Sequence, residues 1–181
     1  QIDECFWIKD SWPVSAHGVG GRFAGSTDAS QNLDSYSIEY TFDDGTKTLV
    51  TGRYTPNCQD DFGTYIHGTK CAAKFSGNVH APNGWISKDQ HLESSHLAWR
   101  PERETINPWQ AEWDVLLSAI RNDKPHNEVK RGAEASLVVL MGRRAVHTGQ
   151  VITFDDMLNC DEEFAPGLDK LTMDSPAPLL L

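Results

Sequence analysis

Apolar residues recur at helical spacing through the last third of the chain and alternate at strand spacing through its middle. From Pro108 to about Arg121 the pattern is that of an amphipathic helix, with Trp109 and Trp113 one turn apart, and Asn122-Asp123-Lys124-Pro125 ends it. A second helix is predicted from about Asn127 to Val146. Thr148-Gly149-Gln150 then turns into the short strand Val151-Ile152-Thr153-Phe154. In the middle of the chain, Tyr36, Ile38, Tyr40 and Phe42 alternate with Ser37, Glu39 and Thr41, the period of a strand with one buried face. Asp43-Asp44-Gly45-Thr46 supplies a turn with glycine where positive φ is wanted, and Lys47 to Tyr54 returns as the second strand of a hairpin.

The remaining elements are shorter. Ile2 to Lys9 has Ile2, Cys5, Phe6 and Lys9 at helical spacing, and Ser11-Trp12-Pro13 breaks it. Val14 to Arg22 is a strand interrupted by three glycines, and the stretch from Gly25 to Asp34 is a loop rich in Ser, Asn and Asp. Further strands are expected at Thr64 to His67, Cys71 to Ser76, Gly84 to Ser87 and Leu97 to Trp99, with turns at Gly68-Thr69-Lys70 and Pro82-Asn83-Gly84. A run of strands followed by helices is the signature of an α+β fold: an open, mostly antiparallel β-sheet with helices packed on one face. The helices leave the other sheet face to water or to a partner. One domain is expected over 1–160, followed by an extended C-terminal tail over 161–181. The terminal Leu179-Leu180-Leu181 is too short to be more than a packing tail or a frayed end.

Composition narrows the classes of partner. The 181 residues can bury a real core, and 39% apolar with 23% charged residues is ordinary globular composition, which argues against wholesale disorder. A net charge of −10, with basic residues scattered, argues against nucleic acid, which needs clustered Lys and Arg to displace counterions. No apolar run approaches the roughly 20 residues that span a bilayer, so no membrane segment is expected. Cys5, Cys58, Cys71 and Cys160 are widely spaced with no C-x-x-C pair, and the expectation is four free, buried thiols rather than disulfides or a zinc site.

Several motifs imitate functional ones. Gly18-Val19-Gly20-Gly21-Arg22-Phe23 resembles a dinucleotide fingerprint, but Phe23 stands where the third glycine belongs and the segment lies in a strand. The fingerprint needs a strand, a glycine turn and then a helix aimed at the pyrophosphate. The glycines are better read as permitting close approach of another backbone, or a bulge. Asp123-Lys124-Pro125 resembles a catalytic E-K-P, yet it joins two helices and serves as helix punctuation. His91 and His96 lie five apart with no third ligand in the sequence, so no metal set is assigned. Trp99-Arg100-Pro101, Trp109 and Trp113 can line a sugar-like ligand, although tryptophans at helical spacing more often pack against a sheet.

The order of these elements carries a resemblance. The wording Q-x-x-x-D-x-L-L-x-A-I-R-N-D-K-P, then N-E, then G-R-R-A-V-H-T-G-Q-V-I-T-F-D-D resembles the C-terminal half of the Gfo/Idh/MocA oxidoreductases. That family places a nicotinamide-binding Rossmann domain before a second α/β domain, and the present chain resembles only the second. Gln1-Ile2-Asp3 followed by Phe6-Trp7 looks like the tail of the family's H-x-x-D motif, whose histidine would precede Gln1. Asp3 would then orient a neighbour, or simply cap and solvate its helix. Ile66-His67-Gly68-Thr69-Lys70 resembles the family's H-G-T-x-G, with Cys71 replacing the closing glycine. His67 can reach a substrate hydroxyl, with hydrogen bonding inside the sheet as the plainer alternative.

The resemblance implies a parent enzyme that moves a hydride between NAD(P) and a sugar or polyol. Asp3, His67, Trp99 and Arg100 would be its substrate-side residues in this chain. No catalytic, cofactor-binding or metal-binding residue is assigned here, and NAD or NADP is expected only with the missing N-terminal Rossmann domain. The family's sheet commonly packs against its copy, so a homo-oligomer through the open sheet face is expected. Relatives of this fold that use bound nicotinamide to cleave glycosidic bonds remain an alternative, as does a non-enzymatic module that pairs its sheet with another protein.

Overall fold

The alternation that begins at Tyr36 forms the centre of a four-stranded antiparallel sheet in a computed structural model that describes residues 1–24, 26, 30–77, 83–102, 107–163 and 167–175. Gly25 of the expected loop, Pro82 of the expected turn and the terminal Leu179-Leu180-Leu181 lie outside the described residues. Contacts divide the chain into two compact units. One combines Gln1–Asp10 with Gln59–Ala133, and the other combines Ser11–Cys58 with Glu134–Leu181. Each unit carries one four-stranded sheet, and the architecture is α+β as the sequence predicts.

In the second unit, β1 (Ser15–Gly21), β2 (Ser35–Thr41), β3 (Lys47–Arg53) and β8 (Ile152–Thr153) lie in the order β3-β2-β1-β8. The register places Ala16 opposite Tyr40 and Gly18 opposite Ile38, so these residues share a face. Ala16, Ile38 and Tyr40 are buried there, and the helix α3 (Val129–Thr148) buries Val138, Met141, Gly142, Ala145 and Val146. The Tyr40 hydroxyl donates to the Val138 carbonyl at 3.0 Å, which satisfies the only polar atom of a fully buried side chain. Burial pushes that hydroxyl's pKa far above its ordinary value, so it stays a donor at any physiological pH. The opposite face carries His17, Glu39 and Lys47, with the Lys47 amine 2.7 Å from the Glu39 carboxylate.

The glycines of β1 explain how the helix comes so close. A Cβ on Gly18 would sit 2.8 Å from Val146 Cγ2, and one on Gly20 would sit 2.7 Å from Val146 Cγ1. The nearest atoms to the two positions are the backbone carbonyls of Ser37 and Ser35 in β2, in agreement with the close-approach reading of this segment. In the β2–β3 hairpin, Gly45 adopts φ 81°, and its N–H donates to the Phe42 carbonyl at 3.0 Å. The strand expected from Val151 to Phe154 is shorter than predicted. It stops at Thr153, which caps the helix α4 (Phe154–Leu158) by accepting from Asp156 N at 3.1 Å while Asp156 accepts from Thr153 N at 2.8 Å. Phe154 N still donates to Val14 O at 3.2 Å, and the reciprocal box, Thr-x-x-Asp, then turns the chain into α4.

In the first unit, β4 (Gly63–His67), β5 (Ala72–Gly77), β6 (Trp85–Ser87) and β7 (Leu97–Trp99) form the sheet β4-β5-β6-β7, antiparallel throughout. Helix α1 (Ile2–Lys9) is pinned to it by Glu4, whose Oε2 accepts from Thr64 Oγ1 at 2.6 Å and from Ser76 Oγ at 2.8 Å. Phe6 is buried, and Trp7 meets Phe75 with ring centroids 6.0 Å apart. Helix α2 (Pro108–Arg121) starts where the sequence places it, because Asn107 accepts from Trp109 N at 3.0 Å and Pro108 stands at the first helical position. Its apolar stripe is not core, however. Trp109 and Trp113 are 59% and 60% exposed, against the expectation that they pack on the sheet.

Candidate functional site

The end of β4 and the segment after β6 form a densely hydrogen-bonded loop cluster in the first unit. His67, the last residue of β4, donates from Nδ1 to Gln90 Oε1 at 3.0 Å. Gln90 Nε2 in turn donates to the Gly68 carbonyl at 2.8 Å, which fixes the amide orientation and hence the His67 tautomer. Its Nε2 therefore keeps a lone pair and can accept a proton or a hydroxyl hydrogen. His67 is thus held by a loop residue, Gln90, and not by a side chain of the sheet.

Gln90 sits between Asp89 and His91, and this is where the structure corrects the sequence. His91 and His96 do have a common third group, since Asp89 Oδ1 lies 3.1 Å from His91 Nδ1 and Asp89 Oδ2 lies 2.8 Å from His96 Nδ1. The two imidazole centroids are 4.9 Å apart. A short helical turn, Ser94–His96, brings His96 back to Asp89. Buried Ser87 holds the loop closed by donating to the carbonyls of His91 and, at 3.1 Å, His96. The Asp89 carboxyl is held down to about 2, first by the His91 backbone N–H and then by the two imidazole N–H groups.

The other sequence-predicted residues have separate surroundings. Asp3 lies in the first turn of α1 and accepts from Arg131 at 2.8 Å, an exposed ion pair rather than a helix cap. Arg100 lines a shallow cleft of about 230 Å³ with Asn83, Gly84, Trp85, Ser94 and Leu97. Trp99 ends β7 opposite Ile86 and is 56% exposed, outside that cleft. The four residues are therefore not gathered into one pocket. Gln90 and Asp89 were missed, although the D-Q-H wording next to a predicted strand was available as a signal.

Two imitations are resolved by local geometry. Gly18-Val19-Gly20-Gly21 lies wholly in β1, and the next described element is the antiparallel β2 rather than a helix. Asp123-Lys124-Pro125 completes the end of α2. Asp123 is left-handed with φ 50°, its N–H donates to Ile120 O at 3.3 Å, and Lys124 N donates to Ala119 O at 2.9 Å. That is a Schellman cap, with Asp123 in the position usually taken by glycine. The four cysteines are all free and half-buried.

No protein-family model and no curated protein matches the chain. Solved structures do. Aldose-aldose oxidoreductase from Caulobacter crescentus, solved with glycerol, aligns at a TM-score of 0.64 and 16% identity over 84% of this chain and 44% of its own. The WlbA dehydrogenase from Bordetella pertussis, solved with NADH and UDP-GlcNAcA, aligns at 0.60 and 14% identity over 84% of this chain and 43% of its own. An NAD-binding protein from Listeria innocua aligns at 0.56 and 14% identity over 89% of this chain and 47% of its own. The chain spans less than half the length of each of these proteins. At such identities the likeness is one of fold, shared with less than half of each of these proteins.

Proposed function

We propose that this chain is the substrate-side and oligomerisation domain of an NAD(P)-dependent oxidoreductase acting on a sugar or polyol. The carrying observation is the alignment of more than four-fifths of the chain with less than half of enzymes of that kind. On this reading the dinucleotide is gripped by a Rossmann domain outside these residues, which supplies hydride chemistry to a substrate positioned here. The guanidinium of Arg100 suits a polyhydroxylated ligand in its cleft as a donor, and His67, outside that cleft, is a separate candidate acceptor.

The exposed apolar stripe of α2 supports a domain that works in an assembly, since stripes of that kind mark surfaces meant to be covered. The open face of a sheet gives the second copy its place in this reading. Sedimentation velocity of the 181-residue chain should show a dimer, and a strict monomer at high concentration argues against the oligomer part of the proposal.

The activity itself is tested with the chain joined to a dinucleotide-binding half. NADH should accumulate with a polyol or aldose, and Arg100→Ala should raise KM more than it lowers kcat. Released sugar without net reduction would point instead to glycosidic cleavage. By calorimetry the chain alone should bind NADH no more tightly than about millimolar. Micromolar binding would overturn the division of labour.

A further inference from the structure

We propose that Asp89, His91 and His96 form a binding site for a transition-metal dication of the Zn²⁺ class. One carboxylate oxygen and two imidazole nitrogens are available, and all three ligand atoms lie within 4.8 Å of one another. Ligand bonds of about 2.0–2.1 Å at a tetrahedral centre place donors roughly 3.2–3.5 Å apart. The 3.1 Å and 2.8 Å separations run from different Asp89 oxygens, so an ion held by one of them draws together three donors that lie within 4.8 Å of one another. The protons that now occupy the two Nδ1–H···O bonds move to Nε2 of each ring, so both histidines bind as neutral imidazoles through Nδ1.

The backbone around the three side chains is already fixed. Ala72 N donates to Asp89 O at 2.7 Å, tying the loop to β5, and Lys88 N donates to His96 O at 2.7 Å. Ser87 holds the His91 and His96 carbonyls together from beneath. An ion therefore meets three side chains carried on a backbone that hydrogen bonds already tie down. The side chains of Asp89, His91 and His96 are 47%, 64% and 36% exposed, so an ion reaches them without any opening of the fold. Two nitrogens and a carboxylate suit Zn²⁺ or Co²⁺ and not Mg²⁺, which prefers an all-oxygen shell. Three protein ligands leave the fourth position to water or to an oxygen of a small molecule. The site stands independently of the proposed oxidoreductase role.

The test is a calorimetric titration of the 181-residue chain with Zn²⁺, together with NMR of its imidazole nitrogens. One ion per chain should bind, and the signals of His91 and His96 should move together. His91→Ala, His96→Gln and Asp89→Asn should each weaken binding by at least about 10-fold. His17→Ala, at an exposed histidine on the other sheet beside Glu39, should leave the isotherm unchanged. Mg²⁺ should give no heat above dilution. No saturable Zn²⁺ binding by the unaltered chain would refute the site. So would binding that survives His91→Ala in a variant with unchanged circular dichroism, or imidazole shifts confined to other histidines.

Discussion

Two glycines in one helix respond in opposite directions to the same substitution if the packing described above is correct. Alanine is favoured over glycine inside a helix by about 1 kcal/mol, so propensity alone makes both Gly132→Ala and Gly142→Ala stabilising. At Gly132 a Cβ meets nothing within 4 Å, and stability should rise by up to about 1 kcal/mol. At Gly142 it would lie 2.1 Å from the Tyr40 hydroxyl oxygen, 2.9 Å from Cζ and 3.0 Å from Ile38 Cδ1. Tyr40 has no exposed surface into which it can retreat, and its hydroxyl is committed to the Val138 carbonyl. Displacing the ring costs roughly 1–3 kcal/mol of overpacking. Losing the buried hydrogen bond adds roughly 1–3 kcal/mol. After the helix gain is subtracted, Gly142→Ala should lose about 1–5 kcal/mol. In a chain of this size that lowers Tm by roughly 2–4 °C for each kcal/mol. Urea and thermal unfolding by circular dichroism measure both variants. Tyr40→Phe removes the nearest atom, so Gly142→Ala should cost less in that background, with a coupling of about 0.5–3 kcal/mol. Equal or higher stability of Gly142→Ala in the native background would refute the proposed contact.

Three further outcomes follow from single contacts. Thr153→Ala should remove the cap of α4 at a cost of about 0.5–2 kcal/mol while Thr153→Ser retains most of it, as thermal melts would show; equal melts for the two would deny the capping box. Glu4→Ala should strand the hydroxyls of Thr64 and Ser76 and lose about 1.5–3 kcal/mol for hydrogen bonds to a charged group, read as a lower urea midpoint with unchanged m. The Tyr36 hydroxyl and His147 Nε2 are hydrogen-bonded at 3.1 Å, and burial, aided by Arg143, lowers the His147 pKa below 6.5. The unfolded chain then binds the proton more readily, so stability should fall as pH drops through 6.5 and level off below the folded value. A His147→Gln variant should flatten that segment of the stability–pH curve, and an unchanged curve would remove His147 from the explanation.

The elements with a complete local code were legible. The alternation from Tyr36 to Phe42 fixes a strand, and Gly45 fixes the turn after it. Asn107-Pro108 marks the start of α2, and Asn122 to Pro125 marks its end. The second long helix begins at Val129 rather than Asn127 because Asn127 Oδ1 accepts from Val129 N at 3.0 Å, so the side chain caps the helix from outside it. Helix α4 was hidden because Val151 to Phe154 has strand-like residues, while the cap that redirects the chain needs both Thr153 and Asp156. Periodicity identified the stripe of Trp109 and Trp113 correctly, but a stripe does not say what covers it. Asp89 escaped notice for a related reason. Its meeting with His96 depends on the Ser94–His96 turn and on the Ser87 hydroxyl, and spacing along the chain encodes neither directly.

These observations separate what holds the fold from what is available for chemistry. Gly18 and Gly20 of β1, Gly142 of α3 and the buried Tyr40 are committed to packing. Asp123-Lys124-Pro125 is likewise committed, its backbone spent on closing α2. The uncommitted groups collect on the other sheet, where β4 ends at His67 and β6 runs into Asp89, His91 and His96. Gln90 joins the two sets, since its amide holds His67 from one side while its neighbours in sequence carry the carboxylate and an imidazole. A ligand that reorders Asp89 and His91 must therefore act on the segment that sets the His67 tautomer. Substituting Gln90 should therefore release the His67 ring while leaving Asp89, His91 and His96 in place, and NMR of the imidazole nitrogens would show whether the His67 tautomer changes.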